Sequence, residues 1–143
     1  MSPKTPTGTG GWSSIPMNPD DAFNAVANSR RRLVLLSVDR GPDPVSATDL
    51  SVEIAAIENR VDPCNVTGEM RTRVYISLTQ THLDTLDNCR AVAYDSRSKQ
   101  VQQTESTPPL AEFIRKMQTS CYVPETDKSD ISVTEETEPG ESV

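Results

Sequence analysis

Aromatic side chains are scarce in this sequence. Only 4% of its 143 residues are aromatic and only 34% are hydrophobic, so any core must be small and largely aliphatic. That length suits one compact domain with tails and is too short for two full-sized domains. Histidine occurs once, at position 82, and the three cysteines, Cys64, Cys89 and Cys121, are far apart with no CxxC pair. An odd, dispersed set suggests neither a disulfide framework nor a zinc site, and a reducing compartment is the natural one. Isolated cysteines of this kind are expected to serve as small core hydrophobes. A lone histidine without a partner nucleophile or clustered ligands points to helix packing rather than catalysis or metal binding. The "GTGGWSS" run at residues 8–14 lacks the Gly-Lys-Ser/Thr ending and the preceding apolar strand of a phosphate loop. With no paired catalytic groups, neither enzyme activity, nor a cofactor, nor a bound metal is expected. No apolar run approaches the length of about 18 residues read as a membrane span. Nor does a basic stretch followed by an apolar one mark the N-terminus as a signal peptide. The expectation is a soluble cytoplasmic protein.

What is present is segregated charge. The formal net charge is −7, but residues 1–18 carry +1, residues 19–118 carry −2 and residues 119–143 carry −6. The tail thus holds most of the acidity, and the near-neutral middle weakens the objection that an acidic chain avoids nucleic acid. Ten of the 14 basic residues are arginine. Acidic, lysine-poor and aromatic-poor composition fits salt adaptation; an acidic regulator with a solvated tail is the alternative.

Residues 1–18 are rich in Pro, Gly, Ser and Thr and read as a flexible arm. Asn18 with Pro19 opens a first helix whose apolar stripe is Ala22, Phe23, Val26 and Ala27. Asn28–Ser29 interrupts or re-caps it, and residues 30–40 form a second helix with Leu33, Leu35, Leu36 and Val38 inward and Gly41 as a left-handed stop. Val45 and Ser46 allow a very short strand. Ser46 caps a third helix, with Asp49 at the capping-box position and Ala47, Leu50, Ile54, Ala55 and Ile57 at helical spacing. After the break at residues 62–65, Thr67 caps a long helix to about residue 88, with Tyr75, Leu78, His82 and Leu86 on one face beside Val74 and Leu83. Asn65-Val66-Thr67 matches a glycosylation acceptor, but without a signal peptide Thr67 reads as the cap. Residues 91–95 and 100–104 form a hairpin around the polar turn 96–99. Pro108-Pro109 ends it, and Leu110–Met117 form a short amphipathic helix within a C-terminal segment 107–118. From Thr119 onward the polar, acidic chain reads as disordered. Helices followed by a two-stranded ribbon make a mainly α winged helix-turn-helix plan, with the domain at 19–106.

The segment "THLDTLDNCRAVAYD" (residues 81–95) resembles the end of the recognition helix and the start of the wing in ArsR-like winged-helix transcriptional regulators. His82, Leu83, Leu86, Val92, Tyr94 and Asp95 fit that pattern. Over about residues 20–118, "NSRRRLVLL", "VSATDLSVEIAAIEN" and "RVYISLTQTHLDTLD" resemble an uncharacterised winged-helix domain common in haloarchaeal proteins. The resemblance implies binding to double-stranded DNA. One departure is Arg90, which stands where the pattern has glycine, so Asn88 or Arg90 must supply the positive φ that ends the helix.

In a helix-turn-helix protein the second helix enters the major groove, with base-edge contacts near its N-terminus. Arg71, Thr72, Arg73, Ser77, Gln80 and Thr81 supply the solvent side of the long helix, and arginine and glutamine suit guanine and adenine respectively. Arg97 and Lys99 at the wing tip suit phosphate or the minor groove. An ordinary solvated helix face and a polar hairpin turn are the competing readings. Asp84 and Asp87 near the helix end, with the net acidity, favour instead a winged-helix module that binds a protein partner. Arg30, Arg31 and Arg32 suit either flanking phosphates or pairs with Asp20, Asp21 or Asp39. Leu110, Phe113, Ile114 and Met117 are expected to form a homodimer interface, because a stripe after the wing has little core left to cover.

Overall fold

The computed structural model describes residues 14–121. The expected flexible arm up to residue 13 and the acidic tail beyond residue 121 lie outside the described residues. The elements are α1 (Pro19–Val26), α2 (Ser29–Arg40), β1 (Val45–Ser46), α3 (Ala47–Asn59), a 3-10 turn (Pro63–Asn65), α4 (Gly68–Ser77), a π turn (Leu78–His82), α5 (Leu83–Asn88), β2 (Val92–Asp95), β3 (Gln100–Gln103) and α6 (Thr107–Ser120). The three strands form an antiparallel sheet in the order β1-β3-β2. The fold is mainly α and winged-helix-like. The hairpin is widened by β1, where Val45 pairs with Val101 and Ser46 with Gln100.

Side-chain caps set four of the helix starts. The Asn18 side-chain oxygen accepts from the Asp21 N–H at 2.8 Å, Asn28 from Arg30 and Arg31, Ser46 from Asp49 at 3.0 Å and Thr67 from Met70 at 3.1 Å. Each satisfies a donor that the first helical turn leaves unpaired. Helix ends were less legible. Gly41 has φ −93°, not a left-handed value; a Cβ there would lie 2.9 Å from the Ser37 carbonyl oxygen, so glycine is required by space. The left-handed exits are Arg60 (φ 57°) after α3 and Arg90 (φ 65°) after α5.

The core gathers the inner faces of all six helices and the sheet. Val34, Leu35 and Val38 of α2, Leu50 and Ile54 of α3, Leu78, Leu83 and Leu86, and Val92 and Val101 of the sheet are fully enclosed. Three apolar residues assigned inward point outward. Phe23 is 65% exposed and Ile57 46%, and Ala27 is exposed. The buried stripe of α1 is Ala22, Ala25 and Val26, and that of α3 runs Ala47, Leu50, Ile54 and Ala55; Phe23, Ala27 and Ile57 fall beside those stripes. Ile15 and Met17, expected in the flexible arm, are half-buried against the core.

The last helix carries the largest correction. It starts at Thr107 rather than Leu110, with Pro108 and Pro109 inside its first turn, and runs past Met117 to Ser120. Leu110 and Ile114 are fully buried in the chain's own core, where α6 packs on α2 and α1. They are not available to a second copy. The sheet is too small to close the core on that side, so this stripe closes it. Phe113 and Met117 are half-buried at its edge.

Candidate nucleic-acid interface

The long helix expected over residues 67–88 is interrupted. At the π turn the Leu83 N–H bonds back to the Leu78 carbonyl, which inserts one residue into the helical repeat. The inward series is therefore Val74, Leu78, Leu83, Leu86, all fully buried. Unbroken α-helical phase would have placed His82 where Leu83 now packs. His82 is instead half-buried, with its Nδ1 3.4 Å from the Arg31 Nη1.

On the other side of α4 and the π turn, Thr72, Ile76 and Gln80 recur at four-residue spacing and are all exposed, with Arg73 exposed beside them. Arg71 and Ser77 are half-buried at the flanks, and Thr81 is exposed. The Arg73 guanidinium lies 2.8 Å from the Glu69 carboxylate, with both side chains more than 70% exposed. Such a pair stabilises the helix little and exchanges readily for another anion. Ile76 is the apolar member of that row, four residues from Thr72 and from Gln80.

The wing is a well-tied turn. The Asp95 carboxylate accepts from the Arg97 N–H and the Ser98 hydroxyl, each at 3.0 Å, and the Lys99 N–H donates to the Asp95 carbonyl at 2.7 Å. The Arg97 N–H first, then the Ser98 hydroxyl, hold the Asp95 carboxyl below its usual pKa. Lys99 adopts φ 60° at the tip, and the Arg97 and Lys99 side chains are exposed. The Lys99 carbonyl accepts the Ala47 N–H at 2.8 Å, so the wing tip is fixed against the start of α3. At the wing's base, the Asp87 carboxylate accepts the Tyr94 N–H at 2.9 Å. Asp87 thus has a structural task in joining α5 to the wing, whereas Asp84 is exposed.

The arginine cluster of α2 is committed inward. Arg30 makes a two-point contact with Glu58 (2.7 and 2.9 Å), Arg31 donates to the Asn24 carbonyl and Arg32 to the Val26 carbonyl. Among the described residues none of them forms an ion pair with Asp20, Asp21 or Asp39; Asp39 pairs with Arg115. These arginines brace α1 and α3 against α2. Of the cysteines, Cys89 is half-buried with its thiol pushed up by burial, while Cys64 and Cys121 are exposed and are not core residues. Among the described residues no cluster of His, Cys, Asp or Glu could hold a metal ion, and no helix is long and apolar enough to cross a membrane.

A family model described as "Domain of unknown function (DUF7344)" matches residues 23–102, from α1 to the middle of β3, with α6 outside the matched span. No curated protein and no solved structure matches the chain. The chain belongs to the DUF7344 family.

Proposed function

Taking that membership as the starting point, we propose that the chain is a DNA-binding transcriptional regulator, with α4 in the major groove of a duplex and the β2–β3 wing on the backbone. The observation that carries this reading is the exposed row Thr72, Ile76 and Gln80 with Arg73 beside it, on the second helix of a helix-turn-helix whose first helix is tied to a cationic wing tip. A helix in the major groove reads bases with such a row, while wing cations meet phosphate. Arg71 and Ser77 then belong to the flank, where they suit backbone contacts. Under this reading no catalytic step is assigned to any residue.

The regulator is proposed to work as a homodimer. Support comes from an apolar groove of about 320 Å³ lined by Ile15, Met17, Pro19, Ala22, Phe23 and Phe113. This shifts the interface expected on α6 alone to the α1–α6 edge. The Glu69–Arg73 pair and exposed Asp84 favour one other reading, a module that docks a basic protein partner on the same face.

The test is selection of preferred sites from a random duplex pool at low and at high salt. Enrichment of a motif in either condition supports the regulator. Failure to enrich any motif with folded protein would falsify it and promote the protein-docking module.

A further inference from the structure

Ile76 is one of three large hydrophobic side chains exposed among the described residues, at 46%. A single exposed aliphatic residue needs no special explanation, but the position of this one is particular. It sits midway between Thr72 and Gln80 on the outward row of α4, with Arg73 next to it. Its flanks therefore hold groups that accept or donate hydrogen bonds and a cation, while its own position holds none. In the major groove the four base pairs differ in hydrogen-bond pattern and in one apolar feature, the 5-methyl group of thymine. A branched aliphatic side chain between polar readers matches that feature, and no other group on a base edge suits it.

We infer that Ile76 is a specificity-determining residue that contacts a thymine 5-methyl group, so that the preferred duplex has a required thymine opposite the centre of α4. This rests on the DNA-binding reading above. The surrounding charge supports duplex DNA as the occupant, since Arg71, Arg73, Arg97 and Lys99 lie on α4 and the wing, on elements joined to one another through α5 and β2.

The experiment uses the full chain and the best duplex from the random pool, with each thymine replaced in turn by uracil, which removes only the methyl group. Wild type is expected to lose about four-fold in affinity at one position, the equivalent of one methyl group taken out of water. Ile76→Ala is expected to bind the thymine and uracil duplexes alike, with its circular dichroism unchanged because the side chain lies outside the core. If wild type selects a site yet tolerates uracil everywhere, the assignment of Ile76 is overturned while the regulator reading stands. If Ile76→Ala keeps the full uracil penalty, another side chain reads the methyl group and the assignment is again overturned. If folded wild type selects no site, both readings fall together.

Discussion

His82 sits against α2, with the Arg31 guanidinium 3.4 Å from its Nδ1. Burial, then the cations of Arg31 and Arg30, holds the imidazole below its usual pKa. The unfolded chain, with a histidine pKa of about 6.5, therefore takes up the proton more readily than the folded one. Stability contributed by this residue is complete above the unfolded value and is lost as pH falls through about 6.5 toward the lower folded value. Urea denaturation between about pH 7.5 and pH 5, above most carboxylate titrations, is expected to show stability falling with acid in wild type. In His82→Gln the fall should be flatter, because the amide keeps an acceptor for Arg31 and adds no charge. Equal slopes in the two proteins would show that His82 does not couple to folding. At the same scale, Arg90 fills a left-handed position usually given to glycine, which costs an L-residue roughly 1–2 kcal/mol. The chain accepts that cost at the exit of α5.

Elements are joined at that exit by two threonines. The Thr107 hydroxyl, fully buried, donates to the Ala91 carbonyl at 2.7 Å and accepts the Thr104 N–H at 3.0 Å. The Thr104 hydroxyl donates to the Arg90 carbonyl at 2.7 Å. This arrangement fastens the start of α6 to the junction of α5 and β2, so the last helix and the wing share one anchor. Thr107→Val keeps the shape, leaves the Thr104 N–H without its acceptor and leaves the Ala91 carbonyl only the Thr104 hydroxyl at 3.3 Å. It is expected to cost about 1–3 kcal/mol in denaturant unfolding; a loss under about 0.5 kcal/mol would mean that the shared anchor is not what holds α6. These links also show which parts of the fold could be read beforehand. Four helix starts were legible because the caps Asn18, Asn28, Ser46 and Thr67 act within three residues of themselves. The wing was legible because a polar four-residue turn between short β-type runs is a local signal. The burial of Leu110 and Ile114 was not, since it depends on α2 presenting an apolar face from 70 residues away. Nor was the π turn, because its consequence, Leu83 inside and His82 at the edge, follows from packing that a regular helical wheel assigns the other way. Within the candidate site, the outward placement of Thr72, Arg73 and Gln80 was legible from helical spacing. The exposure of Ile76 was not, since an isoleucine's type gives no sign of it.

For the whole molecule, the question is how a chain with net charge −7 would hold DNA. A single copy offers Arg71, Arg73, Arg97 and Lys99 near the proposed interface, so few phosphates are neutralised per protomer. Two copies related by a two-fold axis double that number and read two half-sites one helical turn, about 34–36 Å, or a multiple apart. Among the described residues the α1–α6 groove offers an apolar surface for such pairing, and Phe23 at its rim is 65% exposed. Phe23→Asp, reinforced by Phe113→Asp, is expected to give folded monomers by light scattering and circular dichroism. Ile114→Asp, by contrast, should unfold the chain, because it places a carboxylate in the core without a partner. Binding should report the same change. The slope of log affinity against log salt scales with the phosphates neutralised, by roughly 0.9 for each. The monomeric variant should therefore show about half the wild-type slope on a two-half-site duplex and an unchanged slope on a single half-site. Wild type that remains monomeric at high concentration, with and without DNA, removes the dimer. A monomer with the full salt slope would place the phosphate contacts in one copy, and the groove between α1 and α6 would then need a different occupant.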